Sequence, residues 1–196
     1  TIMRVTGIGC DFNPEMDSAS VNEMPGGPDI GSWFVQFVRT FALGINPNDD
    51  TQRWAADVTQ NSMVRWDGMA WLPNATLTNL VTRGGLLSFN YDNTSRRVDP
   101  ANVPQSQVTR IEYSDSDDQT ILVGTEHAGI MASRDGGTTW NLLCDTDQIP
   151  RVTDFFFDEV TQSTYAASFG RSIWRLDLDA VDVAAPVFNG DSSVAL

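Results

Sequence analysis

The sequence predicts an all-β fold: a β-propeller of four-stranded antiparallel blades, partial here, with about three to four blades in this chain. Three observations predict it. Short β-patterned runs separated by turn signals recur along the chain, and no long stretch shows a helical period. Residues 108–144 read as four such strands joined by tight turns, which is the content of one blade. The stretch that follows repeats the pattern. The expected layout is propeller blades over 1–178, with long loops at about 15–31 and 92–107, and an extended tail or linker over 179–196.

The elements follow in order from local chemistry. VTRIEYS (108–114) alternates and is rich in β-formers, so it reads as a first strand. DSDDQ (115–119) is a polar turn. TILVGTEHA (120–128) is a second strand in which Gly124 lets another backbone come close. GIMASR (129–134) is a third strand, DGG a tight turn, and TTWNLLC (138–144) a fourth. In the next unit VTDFFFD (152–158), STYAASF (163–169) and RSIWRLDL (171–178) match the first three strands. An earlier, degenerate unit runs through FALGINP (41–47), RWAADVT (53–59), SMVRW (62–66) and DGMAW (67–71), and its NPNDD turn mirrors SDSDDQ. A further partial unit is expected at RVTGIGCDFNP (4–14), and one strand at LLSFNY (86–91). Closed propellers typically have about four to eight blades, so either the circle is incomplete here or other chain segments finish it.

Composition narrows the function classes. The formal net charge is −14 in 196 residues, Asp far outnumbers Glu, and every basic side chain is Arg. Such a surface repels nucleic acid and anionic lipid, which makes both poor partners. The bland reading of the acidity is that turns use Asp. Apolar runs such as 155–157 are far too short to cross a bilayer, so no membrane insertion is expected. The chain opens on Thr1 without a secretory signal, which reads as a trimmed piece of something longer. Two cysteines, Cys10 and Cys144, are too few for a disulfide framework; one bridge or two buried thiols are both compatible with them. With His127 the sole histidine, the usual zinc clusters are excluded.

One motif stands out. SRDGGTTW (133–140) fits S-x-D-x-G-x-x-W through Ser133, Asp135, Gly137 and Trp140. The chemistry suits a tight turn: Asp135 accepts from turn N–H groups, the glycines supply positive φ, and Trp140 offers a large apolar face. RWDGMAW (65–71) is a shortened relative with Asp67, Gly68 and Trp71. On these residues, and on ILVGTEHAGIMASRDGGTTW and YAASFGRSIWRLDL, the chain resembles the Asp-box (BNR) repeat propellers, chiefly over 108–178. That superfamily includes sialidases, sortilin-type receptors, xyloglucanase-like glycoside hydrolases and photosystem II assembly factors. The resemblance implies a propeller and leaves the activity open. It also implies that Asp135 lies away from any active centre.

The functional expectations are three. The preferred one is a non-catalytic extracellular or secreted propeller module that serves protein or carbohydrate interaction or structural assembly. The second is part of a glycoside hydrolase, xyloglucanase-like or sialidase-like, which needs two carboxylates about 5–10 Å apart in a groove. Asp11, Asp29 and Asp154 are among the acids on offer, and the tyrosines Tyr91, Tyr113 and Tyr165 sit in no recognisable site. The third is a peptide-binding receptor or assembly factor. An enzyme is therefore not the first expectation, and no catalytic residue is assigned. No cofactor is expected; Asp115, Asp117 and Asp118 could suggest Ca2+, but they lack the Gly and terminal Glu of a calcium loop and read as a turn. His127 reads as structural. The tryptophans read first as blade core, with Trp33 and Trp54 the candidates for stacking on a sugar. Asn74 and Asn93 open N-glycosylation sequons.

Overall fold

The computed structural model describes residues 3–6, 20–23, 43–57, 60–87 and 105–179. Strands β1 (Met3–Thr6) and β2 (Ser20–Glu23) pair antiparallel with each other. A four-stranded antiparallel sheet follows, from β3 (Leu43–Ile45), β4 (Arg53–Asp57), β5 (Ser62–Trp66) and β6 (Trp71–Pro73), in that spatial order. Helix α1 (Ala75–Thr82) comes next, then β7 (Leu86–Leu87) and β8 (Gln105–Ser106), which pair parallel. The second four-stranded sheet is β9 (Val108–Tyr113), β10 (Ile121–Thr125), β11 (Ile130–Ser133) and β12 (Asn141–Cys144). The third has three strands, β13 (Val152–Asp158), β14 (Ser163–Ser168) and β15 (Ser172–Leu176). The chain is thus all-β with antiparallel sheets and one short helix. Among the described residues the sheets do not close into a ring.

Each sheet is a meander because its turns satisfy themselves. Between the first and second strands the same device recurs three times. Asp49 accepts from the Thr51 amide and hydroxyl at 3.0 and 2.6 Å. Asp117 accepts from the Thr120 amide and hydroxyl at 2.6 and 2.9 Å. Asp158 accepts from the Thr161 amide and hydroxyl at 3.2 and 2.6 Å. A carboxylate two or three residues before a threonine captures the donors that a tight turn leaves bare. At these three turns the abundance of Asp is turn chemistry.

The sheets stack through two cores. Trp54, Met63, Ile111, Ile121, Val123, Met131 and Trp140 fill the space between the first and second sheets. Leu122, Ile130, Val152, Phe155, Ala166 and Leu176 fill that between the second and third. The second sheet is covered on both faces, so β10 and β11 are buried at every residue. That is why ILVG and IMAS read as unbroken apolar runs. The third sheet is covered on one face, and β14 alternates buried and half-buried. Its other face leaves Phe156 and Ile173 mostly exposed, at 63% and 69%. Close stacking needs the absence of a side chain at Gly124: a Cβ there would lie 2.6 Å from Val152 Cγ1. The expected close approach at that residue is present.

Several expected boundaries move. The second strand of the middle sheet ends at Thr125 and the fourth starts at Asn141, because Gly129 and the 134–140 turn take the flanking residues. Strand β6 begins at Trp71, since 67–70 form the turn. Helix α1 was not expected. The stretches expected as loops hold β2 and β8. LLSFNY contributes β7, and its residues 88–91 lie outside the described residues, as do Cys10, Asp11, Asp29, Trp33, Tyr91, Asn93 and the tail from 180.

Candidate functional site

The Ser133–Trp140 motif is the turn between β11 and β12. Ser133 Oγ accepts from the Gly137 amide at 2.8 Å and donates to Asp135 Oδ1 at 2.9 Å. Asp135 accepts from the Thr139 amide and hydroxyl at 2.8 and 2.7 Å. Burial pushes the Asp135 carboxyl up, but these bonds outweigh it and hold it below its ordinary range. Trp140 donates its indole N–H to Gly137 O at 3.1 Å and meets Trp54 edge-on, ring centroids 5.1 Å apart. Every named residue of the motif is thus occupied in holding the turn or the core. The shortened relative occupies the same place in the first sheet: Asp67 accepts from the Met69 and Ala70 amides, both at 2.7 Å, across the β5–β6 turn that contains Gly68. Trp71 leans on Trp66 at 5.5 Å.

Trp54 is a correction. It was a candidate for stacking on a sugar, but it is fully buried between Trp140 and the Gly137 turn, so neither face is available to a ligand. The calcium candidates lie in the β9–β10 turn. There Asp117 is taken by Gln119 and Thr120, and Asp118 by the Asn48 side chain at 3.0 Å. Among the described residues no three His, Cys, Asp or Glu side chains are grouped as a metal site. Cys144 carries a free, half-buried thiol, raised by burial. Tyr113 is buried, which also raises its hydroxyl. No described helix is long and apolar enough to cross a membrane.

Two cavities lie on opposite edges of the sheets. The turn edge carries one of about 490 Å3, lined by Asp117, Asp158 and Arg134 among others. Three of its charged groups are already engaged: Asp117 and Asp158 cap their own turns, and Arg134 is held by Leu178 O and Asp179, both at 3.0 Å.

The other edge gathers the β10–β11 loop (126–129), the β12–β13 connection (145–151) and the β14–β15 turn (169–171). Backbone bonds stitch them together: the Glu126 amide to Gln107 O at 2.9 Å, Arg151 to Glu126 O at 3.3 Å, and Phe169 to Arg151 O at 3.0 Å. They frame a pocket of about 360 Å3. Helix α1 delivers Arg83 to it. The helix starts where Asn74, first residue of a sequon, accepts from the Leu77 amide at 2.8 Å. It ends at Arg83 in the left-handed conformation, φ 52°, whose amide donates to Asn79 O. The Arg83 guanidinium then contacts the Asp145 carboxylate. Arg151 lies 3.7 Å from Glu126, a carboxylate only 4% exposed. Arg171 completes the rim. Ser106 and His127 also line the pocket, and Ser106 Oγ is buried with no hydrogen-bond partner. The side chain of the neighbouring Gln107 is likewise buried and unpartnered.

Of the pocket residues, only His127 stood out in the sequence. A faint signal was there: in a chain without Lys, Arg83 precedes Gly-Gly, Arg151 follows Pro150 and Arg171 follows Gly170. A third cluster lies where β9 meets β13. Arg110 Nε is 2.6 Å from Glu112 and 3.1 Å from Asp154, so one of the candidate acids has an acidic neighbour. Burial raises the Glu112 carboxyl; Arg110 opposes this, and Asp154 reinforces it.

No family model matches the chain, and no curated protein matches it. Among solved structures it is similar to the crystal structure of a GH74 enzyme of Niastella koreensis, with 15% identity and a TM-score of 0.47. The match covers 71% of this chain and 21% of that one, so the chain spans about a fifth of that enzyme's length.

Proposed function

We propose that this chain is a section of an Asp-box β-propeller and works as a non-catalytic binding module in an extracellular setting, with the loop-edge pocket as its ligand site. The observation that carries this reading is where the charges stand. Three of the twelve arginines of a strongly acidic chain line one pocket; of the carboxylates beside them Glu126 and Asp145 are tied into ion pairs, and Asp147 stands exposed on the rim. A pocket of this size with a few convergent polar groups is the usual form of a small-ligand site. Further sheets, from other segments of the protein, would continue the stack on the open face of the third sheet. The test is to incubate the chain with β-glucan and sialoside substrates and assay released reducing ends and sialic acid, while following backbone amide shifts. No released reducing ends or sialic acid are expected. Turnover would overturn the non-catalytic reading.

A second reading rests on one observation. Glu112 and Asp154 share Arg110, which puts their oxygens less than about 6 Å apart, a bound that admits the spacing of a retaining glycosidase pair. The raised carboxyl of Glu112 would suit the acid and Asp154 the nucleophile. If that pair acts, Glu112→Gln and Asp154→Asn each abolish glycan cleavage while leaving the thermal midpoint in place.

A further inference from the structure

We propose that the Asp67-Gly68 step is a site of spontaneous covalent modification, where the backbone closes on the side chain to a succinimide and reopens as isoaspartate, and that the fold protects the sister step Asp135-Gly136. The sequence holds these two Asp-Gly steps, and both sit in turns between the third and fourth strands of a sheet.

The reaction needs only the chain and water. The Gly68 amide nitrogen attacks Asp67 Cγ, and the new N–Cγ bond closes a five-membered ring. A carboxyl oxygen leaves as water, taking the amide proton with it. Water then reopens the ring at one of its two carbonyls. Cleavage of the N–Cγ bond restores aspartate. Cleavage of the bond between that nitrogen and the Asp67 main-chain carbonyl leaves the chain running through Cγ, which is isoaspartate. One water is lost and one is regained, and nothing is oxidised or reduced. Glycine favours closure because no Cβ obstructs its nitrogen and its backbone turns easily.

Three observations separate the two steps. The first is the nucleophile. The Gly68 amide donates to no described group, whereas the Gly136 amide donates to Gln119 O at 2.9 Å. An attacking nitrogen must face its carbon at near-contact distance, so closure at Gly136 first breaks that bond. The second is room. Nothing lies within 4 Å of where a Cβ on Gly68 would stand, while at Gly136 the Gln119 Oε1 is 3.4 Å away. Residues 67–70 are all exposed; Asp135 and Gly136 are half-buried. The third is the carboxyl. Asp67 is held through Oδ1 alone, by the Met69 and Ala70 amides, which leaves Oδ2 as the oxygen to expel. Asp135 is held at both oxygens, Oδ1 by the Ser133 hydroxyl and the Thr139 amide, Oδ2 by the Thr139 hydroxyl.

The product changes the turn. With Cγ in the main chain, the Met69 and Ala70 amides lose their acceptor and the loop between β5 and β6 gains a backbone atom. The strands it joins carry the Trp66–Trp71 contact.

The test is to incubate the 196-residue chain in heavy-oxygen water, fragment it, and read each aspartate by mass spectrometry, with isoaspartate identified by electron-transfer fragmentation. Every ring opening leaves one heavy oxygen at that residue. In the folded chain Asp67 is expected to gain label and isoaspartate about tenfold faster than Asp135, the factor that goes with breaking roughly one hydrogen bond. In urea, where neither turn exists, the two rates should converge. Asp67→Glu, whose longer side chain cannot close the five-membered ring, should abolish the label at that residue; label that persists would mean that the oxygen enters by another route, and the inference fails. It fails equally if Asp67 and Asp135 gain label at the same rate in the folded chain, or if Asp67 stays unlabelled until urea is added.

Discussion

Gly137 is a residue with little room to change. Its φ is +85°, and a Cβ there would lie 2.4 Å from the Trp54 ring. Gly137→Ala therefore combines left-handed backbone strain with an overpacked core and is expected to cost about 2–4 kcal/mol. Urea unfolding measures it, with Thr138→Ala, exposed in the same turn, as a variant that moves the midpoint little. This turn was legible because its chemistry is local: Ser133, Asp135, Gly137 and Trp140 lie within reach of one another along the chain. The role of Trp54 was not, because it is fixed by a partner more than eighty residues away. For the same reason the pocket was invisible. Arg83, Ser106, Glu126, Arg151 and Arg171 come from five separate segments, and only the stacking of the sheets brings them to one edge.

At the scale of elements, strands were easier to read than the helix. VTDFFFD was placed to the residue because β13 is bounded by a tight turn at one end and Pro150 just before the other. Helix α1 spans only eight residues, ATLTNLVT, rich in β-branched side chains and too short to display a period. What makes it helical is its start: Asn74 caps Leu77, and Thr78 returns its hydroxyl to Asn74 O at 2.6 Å. Asn74→Ala is expected to cost about 1 kcal/mol, measured as a loss of the denaturation midpoint. Because α1 carries Arg83, the same change should also broaden or shift the amide resonances of 126–128. A variant of unchanged stability would show that packing of Leu77 and Val81 alone holds the helix.

For the molecule as a whole, the turn carboxylates set the response to acid. Asp49, Asp67 and Asp158 are held below their ordinary range by bonds from Thr51, Ala70 and Thr161 respectively, and Asp135 by those of its own turn. A carboxyl whose folded value is depressed stabilises the fold above its unfolded value, near pH 4, and loses that contribution as pH falls through the folded value. Glu112, raised by burial, acts in the opposite sense, but it is one group against four. The thermal midpoint should therefore be nearly flat from pH 7 to pH 5 and fall below about pH 4. A midpoint that climbs steadily down to pH 3 would mean that relief of the −14 charge dominates instead.

The one-sided cover of the third sheet also decides the order in which the chain comes apart. The middle sheet can open only after both neighbours have let go, whereas β15, at an edge with four of its five residues exposed, is released by breaking a single interface. Stacked units of this kind lose structure from the free end inward, each opening costing less than global unfolding. Amide hydrogens of Ser172–Leu176 should therefore exchange with deuterium first, those of β14 next, and those of Ile121–Thr125 last, at the rate of complete unfolding. Covering the open face with whatever completes the stack would turn this fraying end into an interior one, and the three rates would draw together.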